Sequence, residues 1–103
     1  MKYTVVVQPA AEAEIEAAYL YLAAEASPEI AISWFNALDA AVGTLTELPR
    51  RCPMAPEDRS FEAEIRNLMI PPYRVLFTLT TKEVHLLHIR HMSRRQMQEV
   101  DEE

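Results

Sequence analysis

One hundred and three residues, half hydrophobic and a quarter charged, fit one domain of the usual ~100–150 residues and exclude a second filled core. The mixture is too apolar for a disordered chain and too charged for a membrane protein. Sixteen acids against ten bases give a net charge of -6, which at face value argues against an anionic partner, although net charge says nothing about where the charges sit.

The chain opens on Tyr3-Thr4-Val5-Val6-Val7, a β-branched and aromatic run that reads as a short strand ending at Pro9. No stretch approaches the ~18 apolar residues of a membrane span, and this N-terminus lacks a signal-peptide core, so the expected location is the cytoplasm. From Ala10 to about Glu25 the composition turns to Ala, Glu and Leu. Ile15, Ala18, Tyr19 and Leu22 fall at helical spacing, and Glu12, Glu14 and Glu16 complement the positive end of the helix dipole. Ser27-Pro28-Glu29 supplies an N-cap, a proline at the first helical position and an early acid. The apolar stripe Ala31, Trp34, Phe35, Leu38, Ala41 or Val42, Leu45, Leu48 predicts a longer second helix ending at Pro49. The short link between the helices predicts an antiparallel hairpin with Tyr19, Trp34 and Phe35 in the core and Tyr21 on the surface.

Pro49 to Ser60, proline-rich and without periodicity, reads as an exposed loop. Its single cysteine, Cys52, is expected to be a reduced bystander. Three strands follow at 65–70, 73–80 and 84–90, joined by connections short enough for an antiparallel meander. The expected fold is α+β in the order β-α-α-β-β-β, with the helical hairpin on one face of a small, mainly antiparallel sheet. Residues 1–98 read as one domain and 99–103 as an acidic, disordered tail.

The charges are segregated. Residues 65–98 hold Arg66, Arg74, Lys82, Arg90, Arg94 and Arg95 against Glu83 alone, together with His85, His88 and His91. The helices and the tail are acidic, so the sheet side can take an anion despite the overall sign. Strand alternation places Tyr73, Val75, Phe77 and Leu79 against the helices and Arg74 on the opposite, open face. His91, beside Arg90, Arg94 and Arg95, is the histidine best placed for proton transfer. Spacing by three would gather the histidines on one side of a helix, but on a strand it alternates faces, so that His85 and His91 can point together and His88 away; with neither cysteine spacing nor a helical His pair beside them, no metal is expected. With one glycine in the chain, phosphate-binding loops are absent and no cofactor is expected.

In order and spacing the chain resembles the RelE/ParE superfamily of bacterial type II toxins. The resemblance is carried by Ser27-Pro28 and Ala31…Trp34-Phe35…Leu38, the turn at Leu48-Pro49, Ile65-Arg66-Asn67-Leu68, Tyr73-Arg74-Val75-Leu76-Phe77, and His91-Met92-Ser93-Arg94. It implies a growth-inhibiting toxin neutralised by a cognate antitoxin. The target it implies is DNA gyrase in the ParE-like branch, or translated mRNA on the ribosome in the RelE-like branch. In a ribonuclease, Arg74, His91 and Arg94 would be catalytic; as a binding surface for target or antitoxin the set is Arg66, Arg74, Arg90, Arg94 and Arg95. A homodimer and a degenerate, non-toxic binding module are compatible with the same fold. Ser60-Phe61-Glu62-Ala63-Glu64 stands where the ribonucleases carry lysines, and Gln96–Val100 lacks their C-terminal tyrosine. Both departures favour the ParE-like branch.

Overall fold

The computed structural model describes residues 2–55 and 64–93. In chain order the elements are β1 (Thr4–Val7), α1 (Pro9–Glu25), α2 (Pro28–Gly43), β2 (Arg66–Ile70), β3 (Tyr73–Leu79) and β4 (Glu83–His91). The four strands form one sheet in the order β1-β4-β3-β2. β1 runs parallel to β4, and the other two pairings are antiparallel. This is the expected α+β arrangement with the helical hairpin on one face.

Local chemistry sets the helix boundaries. Pro9 starts α1, and the Ser27 hydroxyl accepts from the Ile30 amide at 3.1 Å to cap α2, satisfying an amide that has no partner within its helix. α2 stops at Gly43, not at Pro49 as the stripe predicts. The Thr44 hydroxyl donates back to the Ala41 carbonyl and the Thr46 hydroxyl to the Gly43 carbonyl, and threonines that bond backward in this way compete with helix continuation. Leu45 is still buried, from a single 3-10 turn. Leu48 adopts a left-handed conformation and is exposed, so it is not part of the buried stripe.

Ala31, Trp34 and Leu38 of α2 and Ala11, Ala18 and Leu22 of α1 close over Val75, Phe77, Val84, Leu86 and Ile89. Each large side chain removed from water here contributes roughly 1.5–3 kcal/mol. Trp34 fixes the register of the layers: its indole N–H donates to the Ile70 carbonyl at 3.1 Å, and its ring centroid lies 5.3 Å from that of Tyr73. Phe35, expected in the core, is 43% exposed and meets Tyr19 edge-on instead.

β4 departs from simple alternation. Leu76 faces His88 while Phe77 faces Leu86, so Leu87 is an extra residue in the ladder. Such a bulge reverses the side-chain pattern. Val84 and Leu86 point to the helices before it, and Ile89 points there after it. His85 and His91 therefore lie on opposite faces.

The stretch from Pro49 is not simply an exposed loop in its described part. Met54 bridges Arg66, the Ala55 amide donates to the Ile65 carbonyl, and the Asn67 amide donates to the Pro53 carbonyl. Ala55, Ile65 and Leu76, with Leu87 against them, form a second small cluster on the face away from the helices.

β1 ends at Val7 opposite Leu86, and past that point α1 takes over the edge of β4. The Glu14 carboxylate accepts from the Ile89 amide at 2.8 Å and meets His88 Nδ1 at 3.2 Å. Removing a charged acceptor from a partly buried amide typically costs ~1–3 kcal/mol. Urea unfolding of Glu14→Ala is expected to show a loss of about 1–2 kcal/mol, whereas Glu12→Ala, two residues earlier and solvent-facing, changes stability by under ~0.5 kcal/mol.

Candidate functional site

The basic residues divide into groups with different surroundings. Arg66 is consumed by its own chain. Its guanidinium donates to the carbonyls of Arg50 and Cys52 at 3.1 and 2.6 Å and pairs with Glu64 through both Nε and Nη2. Five donors in a rigid fork suit such a clamp, and it ties the chain after α2 to β2.

Arg74 lies on the face away from the helices, as alternation predicts, but that face is not open there. The residue is only 7% exposed, and its Nη1 donates to Asn67 Oδ1 at 3.2 Å. Arg90 stands directly opposite Arg74 in the ladder and is equally buried. Two facing arginines concentrate positive charge between the central strands, beneath the surface where a loosely bound anion would sit. Arg94 and Arg95 lie outside the described residues.

His91 is opposite Tyr73 in register, with its ring edge-on to the tyrosine at 5.2 Å. Successive residues of a strand point to opposite faces, so His91 and Arg74 do not converge. The Ser93 amide donates to His91 Nδ1 at 3.1 Å, and the Ser93 hydroxyl lies 2.8 Å from the same nitrogen. A backbone amide can only donate, so Nδ1 is the acceptor here and the neutral ring carries its proton on Nε2.

The other histidines are engaged separately: His85 with Gln8 and Glu83, His88 with Glu14. Among the described residues no cluster of three His, Cys, Asp or Glu side chains could hold a metal ion.

Glu14, Tyr21, Tyr73, Arg90, His91 and Ser93 line an open cleft of about 540 Å³ between α1 and the end of β4. It exists because β1 stops short of the end of β4. A carboxylate, two phenol rings and an imidazole give the cleft a mixed polar and aromatic lining. Glu14 and Tyr21 belong to the helix and could not be assigned to this site from the strand motifs; only the pairing of β1 with the first half of β4 reveals them.

Cys52 is buried. Burial pushes its thiol up, outweighing the nearby Arg51 and Arg66 charges, which pull it down. Because the folded thiol holds its proton more tightly than the unfolded one, this group leaves stability unchanged below pH ~8 and lowers it as the unfolded thiol ionises above that. Alkylation of Cys52 at pH 8 is expected to be more than about tenfold slower in the native protein than in denaturant. Equal rates would contradict its placement.

The fold has known counterparts. A family model described as the ParE toxin of the type II toxin-antitoxin system, parDE, matches residues 5–96. The structure also superimposes on that of a "Chromosomal ParDE TA system from P. aeruginosa" with a TM-score of 0.72 and 20% sequence identity, covering 87% of this chain and 96% of that one. No curated protein matches the sequence.

Proposed function

The chain belongs to the family of ParE toxins of type II toxin-antitoxin systems, and from that premise we propose that it arrests growth by binding DNA gyrase in the cytoplasm and is neutralised by a cognate antitoxin. The superimposable structure, titled as a ParDE toxin-antitoxin system, supports an antitoxin partner of the ParD kind. The observation favouring binding over RNA cleavage is the separation of Arg74 from His91. One is buried against Asn67 and the other packs on Tyr73 across the sheet.

Ribonucleolytic chemistry needs a cation and a proton-transfer group around one phosphate, and misplacement of the second can cost about 10²–10⁴ in rate. A toxin that works by contact has no such requirement. In this reading Arg94 and Arg95 make the cationic contact with the target, the buried Arg74–Arg90 pair adds positive charge behind it, and Arg66 holds the sheet edge in place. Residues 1–98 act as one unit in this reading.

Purified protein is expected to inhibit supercoiling by purified gyrase and to raise the yield of cleaved DNA-gyrase complexes. The double variant Arg94→Ala/Arg95→Ala is expected to lose at least about tenfold in potency with an unchanged melting temperature. Undiminished supercoiling by gyrase saturated with folded protein would rule the gyrase reading out.

A further inference from the structure

Three segments far apart in sequence meet at the end of the sheet opposite His91. The Tyr3 amide donates to the Thr46 carbonyl at 2.8 Å and the Thr4 amide to the Lys82 carbonyl at 2.9 Å, so the start of β1 joins the turns after α2 to the start of β4. Lys2, Arg50, Arg51 and Lys82 are exposed there, and among the described residues no other lysine or arginine is. Arg66 is half-buried, and Arg74 and Arg90 are buried. The acids beside these cations in the chain are engaged, Glu47 with Lys2 at 3.4 Å and Glu83 with His85 at 2.9 Å. α1 carries its glutamates away toward the His91 end, and α2 returns with Asp39 alone in its last two turns. A molecule of net charge -6 thus presents its exposed cations at one end.

Leu48 stands among them, 76% exposed and held at φ 52° and ψ 49°. A leucine in the left-handed region carries a steric cost that glycine or asparagine avoids, and an exposed one recovers nothing from the core. The turn is nevertheless braced. The Arg51 guanidinium donates to the Leu48 carbonyl at 3.2 Å and to the Thr44 hydroxyl at 2.6 Å, and Arg50 donates to the Tyr3 hydroxyl at 3.0 Å. Strained residues held rigidly by their surroundings cluster at functional sites.

Shape and charge select the partner. A peptide strand needs a sheet edge and a peptide helix needs a furrow, and a turn that projects its leucine into solvent offers neither. Duplex DNA offers a groove that admits an apolar side chain, with phosphates on both sides for arginines and lysines. We propose that this end of the molecule contacts duplex DNA, with Leu48 as an apolar wedge and Lys2, Arg50, Arg51 and Lys82 on the phosphates. The two arginines are already held by their own chain, so little side-chain freedom is lost on binding. The contact does not rest on the gyrase reading and lies at the other end of β4 from Arg94 and Arg95.

The test is fluorescence anisotropy of a labelled duplex of ~20 base pairs titrated with the full chain at about 50 mM salt. Binding is expected, with affinity falling as about the third to fourth power of salt concentration, because each contacted phosphate releases about 0.9 counterion. Lys2→Gln/Arg50→Gln/Lys82→Gln is expected to weaken binding at least about tenfold and to remove most of that salt dependence, whereas Arg94→Ala/Arg95→Ala stays within about twofold of the parent chain. Leu48→Asn separates wedge from fold. Asparagine accepts the left-handed backbone, so the melting temperature holds or rises while affinity falls by about threefold or more. Absence of binding at low salt, Leu48→Asn binding as tightly as the parent chain, or loss in the Arg94/Arg95 variant in place of the triple variant would overturn the proposal. Equal affinity for a poly-glutamate peptide of about the same length would do so too, by pointing to an acidic protein partner. No gyrase is present in this titration, so its failure and that of the gyrase reading are separable.

Discussion

The pairing of β3 with β4 is the constraint on which the rest of the molecule depends. These are the two central strands, and the extra residue at Leu87 decides which side chains each face receives. Without it Ile89 would point away from the helices and the core over Phe77 would lose its end. With it Ile89 reaches α1, Glu14 receives the Ile89 amide, and the last turn of β4 presents His91 beside Tyr73. The same register sets Arg74 against Arg90 on the other side. Core, edge protection and charge placement therefore share one structural cause.

The second face is closed by economical means. The chain after α2 doubles back along β2, held by the Arg66 clamp and by the bridge at Met54, and lays Ala55 over Leu76. An arginine that would otherwise stand in water is thereby folded into the sheet. The segregation of charge is visible within the fold: the helices carry only acids along 9–43, while Arg74 and Arg90 face each other in the two central strands.

Much of this was legible from residue patterns. The element order followed from alternating periodicities and from prolines at the helix starts, and Trp34 read correctly as core because it recurs with Ala31 and Leu38 at helical spacing. The end of α2 was not legible, because Leu45 and Leu48 continue the stripe numerically although the threonines between them turn the backbone. The bulge left only a faint trace, the adjacent Leu86-Leu87 in an otherwise alternating strand. The burial of Arg74 was hidden because its cover comes from an aperiodic segment. Small residues such as Cys52 and Ala55 carry no pattern that announces packing. The cleft at Glu14 and Tyr21 depends on where β1 runs out, which is a matter of pairing and not of sequence spacing.

The proposed mode of action is contact without RNA chemistry, and the most direct measurement is primer extension across translated mRNA in cells induced to express the chain. The geometry predicts growth arrest without codon-linked cuts, since Arg74 and His91 face opposite sides of the sheet. Cuts in translated codons that vanish in Arg74→Lys, a variant that keeps the buried charge, would contradict it.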